Sequence, residues 1–371
     1  MNAKSCTALV LTAVLATTSV AQTNVTVYGS LDVGVDVSNQ GRGTLKRVIS
    51  GGTRAGSAVG FRGSEDLGDG LKAVFKIEQG LSLDTGTLND GGKAFSRGSA
   101  VGFDSARWGQ LVVGRIPSPY YHVLYAVDAF GWEGNGGLTS LTRGPQSLPL
   151  QPLAIVARSD NSIRYDTPAW VPIQLRALIS AGEGDPTLGR AHSVSARYIA
   201  HSVDAVAGWM RQGGAFNVGT NGRITAWVIG GSYVIGPISV FAGYNRESNG
   251  CITCAGISSR GPGVTKADFA LLNLGARASV GLTSFVAQVA RIKDRSAYTV
   301  TAGNRDATEA AIGIDHDLSK RTRLWASLGS LRNANGAQYA IGSGTALLPA
   351  GSVGSNNPSA TAASAGVRLL F

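Results

Sequence analysis

Charged side chains are scarce in this chain. Asp, Glu, Lys and Arg make up 15% of its 371 residues, against roughly 25% in an average soluble domain. Beyond residue 21 no apolar run reaches the roughly 18 uninterrupted residues typical of a membrane-spanning helix, because Gly, Arg, Asp or Ser breaks every candidate. Membrane-spanning helices are therefore excluded there, and the 43% hydrophobic content argues against intrinsic disorder.

Cysteine and histidine are also scarce, with 3 and 4 residues respectively. No histidine forms an H-E-x-x-H motif or has metal-ligand spacing, and neither a G-x-S-x-G elbow nor a complete P-loop occurs. We therefore expect no enzymatic activity, no metal and no cofactor. Cys251 and Cys254 lie close together in a Gly-rich and Ser-rich stretch, and outside the cytoplasm such a pair is more typical of a small disulfide than of a zinc half-site.

The first residues have the pattern of an export signal. Lys4 precedes an apolar core at residues 8–16, and Ser19-Val20-Ala21 suits a cleavage site. We predict a signal peptide at 1–21 and an exported chain at 22–371. Lys and Arg outnumber Asp and Glu by 33 to 23, but they are scattered and form no basic run, so nucleic-acid binding is not expected.

Period-two alternation of apolar and polar residues runs through the exported chain and predicts β-strands. The clearest stretches are residues 25–37, 59–62, 71–78, 162–166, 173–179 and 324–329. One face of these strands is aliphatic or aromatic, while the other carries Arg and Lys or is Gly and Ser. A soluble sandwich also alternates, but this division suits a lipid-facing and a water-facing surface.

The connections between predicted strands alternate in length, as periplasmic turns and extracellular loops do in an outer-membrane barrel. Short turns fall at 65–70, 104–109, 167–172, 235–237 and 317–321, and long ones at about 38–54, 84–95, 116–160, 247–265, 293–306 and 334–359. The pattern predicts an all-β fold, an antiparallel transmembrane β-barrel of about sixteen strands. The final strand, ending at Phe371, would close it.

Several blocks carry a family resemblance: residues 22–29, 59–73, 112–115 and 161–166, with the terminal Phe371. They resemble the Gram-negative general porins of beta-proteobacteria and Neisseria. The resemblance implies a homotrimeric sixteen-stranded barrel whose third extracellular loop folds inward. It therefore interprets 116–160, unusually long for a structureless loop, as a pore-constricting loop inside the domain 22–371.

The parity of the strands predicts which charges line the pore. If Phe61, Phe75, Ile163 and Leu175 face lipid, the intervening basic residues face the lumen. The predicted pore-lining and constriction residues are Arg54, Arg62, Lys76, Arg97, Arg164 and Arg176 on the wall and Asp128 and Glu133 on the loop. A basic wall predicts preference for anions. Ala58 stands where the resembled family often has Arg, so the anion preference would either be weaker here or be restored by Arg54 and Lys76.

We thus expect a general diffusion porin of the outer membrane that passes small ions and hydrophilic solutes. A substrate-specific channel and a secreted soluble β-rich binding protein remain alternatives. The expected partners are two further copies of the chain, outer-membrane lipid and lipopolysaccharide, and the barrel-assembly machinery, which would bind the strand ending at Phe371. Candidate interface aromatics are Tyr28, Phe61, Trp227, Tyr233, Tyr244 and Trp325.

Overall fold

The structure, a computed structural model, describes residues 24–52, 56–89, 93–132, 134–142, 157–182, 190–213, 223–250, 264–295, 297–298, 306–342 and 357–371. The predicted signal peptide at 1–21, the Cys251 and Cys254 pair, Arg54 and Glu133 lie outside these residues. Among the described residues, no helix is long and apolar enough to span a membrane.

Strands make up most of the described chain. They are β1 Asn24–Asn39, β2 Thr44–Ser50, β3 Ala58–Gly68, β4 Leu71–Ser82, β5 Thr87–Leu88, β6 Gly98–Ser105, β7 Gly109–Pro117, β8 Arg158–Asp166, β9 Ile173–Ser180, β10 Ala191–Ala200, β11 Val203–Gly213, β12 Arg223–Ile235, β13 Ile238–Gly250, β14 Val264–Val280, β15 Thr283–Asp294, β16 Ala297–Tyr298, β17 Ala307–Asp317, β18 Thr322–Asn333 and β19 Ser359–Leu370. Two short helices, α1 Pro119–Leu124 and α2 Thr139–Thr142, lie between β7 and β8.

These strands form one closed antiparallel sheet with sixteen positions. Both β2 and β3 pair with β1, so together they occupy one position, and β5 and β16 are two-residue extensions. The last strand closes the sheet on the first, with Ser30 opposite Leu370 and Asn39 opposite Thr361. Both backbone hydrogen bonds between Gly29 and Phe371 extend this seam. The predicted sixteen-stranded antiparallel barrel is confirmed.

The two faces of the sheet differ as the alternation predicts. Val35 and Leu272 on one face are 56% and 60% exposed, whereas Leu271 and Ile292 on the other are 1% and 0% exposed. We call the exposed apolar face the outer face and the opposite one the inner face. An exposed apolar surface of this extent suits contact with lipid. The closed sheet suits it too, because the strands pair each other's backbone polar groups, which lipid cannot do.

The connections also sort by rim. Residues 69–70, 236–237 and 281–282 are tight turns at one end of the barrel, and the connections at the other end are mostly long. One expectation was wrong: 38–54 is not a single long loop, because 44–50 pairs with β1 as strand β2. Gly41 and Gly43, both with positive φ, provide the tight turn that lets the chain return.

Two of the predicted interface aromatics face inward instead. Trp325 is only 4% exposed, and its indole Nε1 donates to the Asp32 carboxylate at 2.9 Å. The Tyr28 hydroxyl donates to Glu78 at 2.7 Å. Both rings carry a polar atom that needs a partner, and acidic residues on the inner face supply it. Phe61, Trp227 and Tyr233 are exposed on the outer face.

Candidate functional site

The longest connection follows β7 and spans residues 118–157. Its described part, 118–132 and 134–142, is called the 118–142 segment. It opens with α1, where the Ser118 side chain caps the helix by accepting from the Tyr121 backbone N–H at 3.2 Å and Pro119 occupies the first turn. The connection lies within the expected bounds of about 116–160, since β7 continues to Pro117 and β8 begins at Arg158.

Helix α1 packs against the inner face of β10, β11 and β12. Tyr120, Val123 and Leu124 are at most 1% exposed. The Tyr120 backbone N–H donates to Ser193 Oγ at 3.0 Å, and its hydroxyl is bonded to the Asn245 side chain. Burial of these three side chains fixes α1 on the wall, since each contributes about 1.5 to 3 kcal/mol when fully removed from water.

Asp128 organises the next part of the segment. Its carboxylate accepts from the backbone N–H groups of Phe130, Trp132 and Leu138 at 2.9, 2.8 and 3.0 Å. The side-chain amide of Gln288 on β15 donates a fourth hydrogen bond at 2.9 Å. The residue is fully buried, and burial raises its pKa above the usual value while these donors oppose the rise. The expectation that Asp128 lines the pore is therefore wrong: its carboxylate holds the segment together.

Polar side chains of the inner face anchor the segment further along. Gln288 also receives the Ala129 N–H at 2.9 Å and donates to the Gly136 carbonyl at 2.7 Å. Asn135 donates to Ser364 Oγ at 2.9 Å, and Asn273 donates to the Val127 carbonyl at 2.6 Å. The segment therefore runs from β10 across the inner face to β19.

Glycines of the inner face make room for this path. A Cβ added at Gly275 would lie 2.6 Å from the Ala129 Cβ, and one at Gly243 would lie 2.7 Å from the Val127 Cβ. Three further wall glycines, Gly208, Gly313 and Gly329, would place a Cβ within 2.9 Å of Val123, Phe130 and Asn135 respectively. Successive strands thus lack a side chain where successive residues of the segment pass. These glycines are present in the sequence, but the alternation of the strands alone did not reveal that they mark the path of the segment.

The opposite part of the inner face is basic. A cavity of about 430 Å³ lies between the wall formed by β3, β4, β6, β7 and β8 and the helix α1. Its lining includes Arg62, Lys76, Arg97, Arg115 and Arg164 of the wall and His122 of α1. Four of the predicted pore-lining residues therefore meet in one place. Arg62 and Lys76 are direct cross-strand partners.

Carboxylates balance only part of this charge. Glu78 pairs with Lys76 and Arg97, each at 2.9 Å. Asp166 forms a two-point pair with Arg164 at 2.9 and 3.0 Å and approaches Arg176, a fifth predicted wall residue, at 3.4 Å.

Arg62 lies 5.2 Å from the centre of the Tyr28 ring, a cation–π distance. Among the described residues it has no carboxylate partner within ion-pair distance. Four of the predicted basic residues thus share two carboxylates, Glu78 and Asp166, while Arg62 pairs with neither, and the wall keeps a positive excess.

His122 faces this positive wall. Burial, together with Arg176, Arg164, Lys76 and Arg197, lowers its pKa to about 3. The ring is therefore neutral at neutral pH, and it adds no charge to the cavity.

A second basic group on the inner face was missed from the sequence. Arg277, Arg323 and Arg368 belong to β14, β18 and β19, and Arg277 pairs with Asp315 at 2.8 Å and donates to the Ala129 carbonyl at 3.2 Å. The signal was present, because these residues alternate with apolar ones as Arg62 and Lys76 do. Within the described ranges, no three His, Cys, Asp or Glu side chains are grouped to hold a metal ion.

Comparison with known proteins decides the family. The model of a family described as Gram-negative porin matches residues 5–347. The chain belongs to the Gram-negative porin family. Its location is accordingly the outer membrane of a Gram-negative bacterium. Both the family and the fold are those of a channel rather than of an enzyme.

The similarity to known porins covers most of the chain. An outer membrane porin protein of Bordetella pertussis is 29% identical, over 87% of this chain and 92% of its own length. Outer membrane porin protein 32 of Delftia acidovorans is 30% identical, over 90% of this chain and 91% of its own length. The solved structure of an anion-selective porin from Comamonas acidovorans has a TM-score of 0.76 at 24% identity, covering 94% of this chain and all of that one.

Proposed function

We propose that this porin is a passive diffusion channel that favours anions, and that the 118–142 segment narrows its passage. The observation that carries the proposal is the cavity of about 430 Å³ between α1 and the basic wall. A narrow aqueous passage with low-dielectric walls concentrates ions opposite in charge to its lining. The wall charges are positive in excess, and the neutral His122 does not oppose them.

The described part of the segment supplies the narrowing in this proposal. The Asp128 carboxylate is turned into the segment, so it does not face the basic wall. Tyr121, Tyr125 and Trp132 form an aromatic group with ring centres 5.2 to 6.4 Å apart. Arg158 at the start of β8 lies 5.9 Å from the Tyr121 ring. Such packing supports a rigid rim to the passage, which would limit solutes by size.

A homotrimer is proposed as the working assembly. The proposal rests on the family and on a fold shared with OmpT of Vibrio cholerae, for which a trimer form has been solved (TM-score 0.65, 16% identity). Chemical cross-linking of the folded protein in detergent should yield a band at three times the monomer mass.

Planar bilayer recording tests the channel and its preference together. With purified protein and a KCl gradient, we expect stepwise conductance and a zero-current potential whose sign reports chloride as the more permeant ion. A comparison of salts provides a second readout, in which lithium chloride replaces the cation of KCl and potassium acetate replaces its anion. In an anion-preferring channel, potassium acetate should lower the conductance more than lithium chloride does. A potassium-selective potential would contradict the anion preference while leaving a channel, and absence of conductance would contradict both.

A further inference from the structure

Helix α1 has a second side that is not packed against the barrel wall. Tyr120, Val123 and Leu124 are buried on the wall, whereas Tyr121 and Tyr125 are only partly buried. The two tyrosines lie one helical turn apart, so their side chains are neighbours. Their ring centres are 5.2 Å apart at an angle of 79°, and the Tyr125 hydroxyl donates to that of Tyr121. An aromatic pair therefore occupies the accessible side of α1.

Trp132 supports this pair from behind. It is 5% exposed, and its ring centre lies 6.4 Å from those of both tyrosines. Its φ of 80° is a left-handed conformation that costs a bulky residue free energy, and Gly131 before it has φ of 68°. Glycine would suit position 132 better, so the ring is what tryptophan contributes there. Strain of this kind is typical of ligand sites and switch regions.

The aromatic group borders one end of the basic cavity. Arg158 lies 5.9 Å from the centre of the Tyr121 ring, and its Nε donates to the Arg97 carbonyl at 3.0 Å. Arg97 lines the cavity, and so do His122, the neighbour of Tyr121, and Pro117, the cross-strand partner of Arg158. Pro117 ends β7 at the rim with the long connections. A solute entering from that rim therefore meets aromatic rings and a guanidinium together before it reaches the rest of the basic wall.

We propose that this end of the cavity binds aromatic carboxylates, and that these are a preferred class of solute for the channel. The inference rests on the proposed function, since such a solute must pass the basic cavity. Its ring would pack on Tyr121 and Tyr125, and its carboxylate would accept paired hydrogen bonds from Arg158. Chloride needs only the positive charge, so chloride conduction alone gives no reason for a strained tryptophan behind two accessible tyrosines.

Block of the single-channel current tests the site, with the full folded protein in a planar bilayer and symmetric KCl. Potassium benzoate and potassium cyclohexanecarboxylate are the matched probes, because each carries a carboxylate on a six-carbon ring and only one ring is aromatic. Benzoate should reach half-block at a concentration about threefold lower or less, as a modest ring–ring preference predicts. Benzyl alcohol, a ring without the carboxylate, should not block at the same concentrations.

Two results would overturn the proposal: equal half-blocking concentrations for the two acids, or block by benzyl alcohol. Failure of the proposed function has a different signature, because it is read from the zero-current potential under a KCl gradient. A potassium-selective potential contradicts the anion preference, whereas equal block by the two acids in an anion-selective channel contradicts only the aromatic site.

Variants test the ring and the guanidinium separately. Tyr125→Leu should abolish the preference for benzoate over cyclohexanecarboxylate, and the control Tyr198→Leu, which removes an exposed tyrosine of the outer face on β10, should retain it. Arg158→Lys keeps the charge but loses the paired hydrogen bonds, so the half-blocking concentration of benzoate should rise about threefold or more. Full preference in Tyr125→Leu, or unchanged benzoate block in Arg158→Lys, would overturn the proposal. Heat-modifiable gel mobility verifies that each variant is folded.

Discussion

At the scale of single residues, the predicted wall charges differ in how freely they can act on a passing ion. Arg97 and Arg164 are tied to Glu78 and Asp166 by short ion pairs, whereas Arg62 rests on the Tyr28 ring. An ion-paired guanidinium contributes less field to the passage than an unpaired one, because its carboxylate partner cancels part of its potential. Arg62 is therefore the wall residue from which the largest selectivity effect is expected.

Asp128→Asn tests the acceptor role of this buried carboxylate. The amide replaces an acceptor oxygen with a donor, so at least one N–H of the segment loses its partner, at an expected cost of about 1 to 3 kcal/mol in the free energy of unfolding. Urea unfolding in detergent, followed by tryptophan fluorescence, measures it. Asp69→Asn is the matched control, because Asp69 is exposed in a tight turn with φ of 49°, where Asn is well tolerated. Equal stability of the two variants would contradict the assigned role.

His122 gives a pH dependence whose direction follows from its lowered pKa. The value of about 3 in the folded protein lies below the 6.5 of a free histidine, so protonation favours displacement of α1. The stabilising contribution is complete above pH 6.5 and declines as pH falls from 6.5 towards 3. Single-channel current should therefore stay steady from pH 8 to pH 6.5 and become noisier below that range. His122→Gln should remove the change, and a wild-type transition centred near pH 6.5 would indicate an exposed, ordinary histidine.

At the scale of elements, the alternation of side chains along strands was a better guide to the structure than the lengths and composition of the connections. The alternation assigned Arg62, Lys76, Arg164 and Arg176 to the inner face because every second side chain in a strand faces the same way. The role of Asp128 could not be predicted, since whether a loop carboxylate meets water or backbone N–H groups depends on the path of the loop. Strand β2 was missed because Gly-rich flanks made 44–50 look like a loop, although its own residues alternate.

The wall glycines lead to a prediction about the seat of the 118–142 segment. Gly275→Val places side-chain atoms where Ala129 packs, and overpacking of this kind costs about 1 to 3 kcal/mol. We expect the segment to be displaced, with a changed single-channel conductance and easier proteolytic cleavage within 118–157. Gly98→Ala is the control, because its added Cβ would meet nothing closer than 3.9 Å. An unchanged conductance in Gly275→Val would show that the segment does not border the passage.

At the scale of the whole molecule, closure of the sheet turns local alternation into a channel. Pairing of β19 with β1 leaves no free edge, so an apolar outer face and a polar inner face follow from one repeated pattern. The sequence specified this architecture because a period of two needs no long-range information. The contacts between the segment and the wall strands depend on closure of the barrel, because they join residues far apart in sequence. The position of the basic wall beside a cavity therefore could not be predicted from local patterns.

The most direct test of the account is the zero-current potential of Arg62→Gln with Lys76→Gln in a planar bilayer under a KCl gradient. These two residues face each other on neighbouring strands in the cavity opposite α1. The control, Lys72→Gln with Arg107→Gln, removes two exposed cations near the short turns. The account predicts an anion-selective wild type, a clear shift towards cations in the first variant and little shift in the control. A wild-type preference for potassium, or equal shifts in both variants, would contradict it.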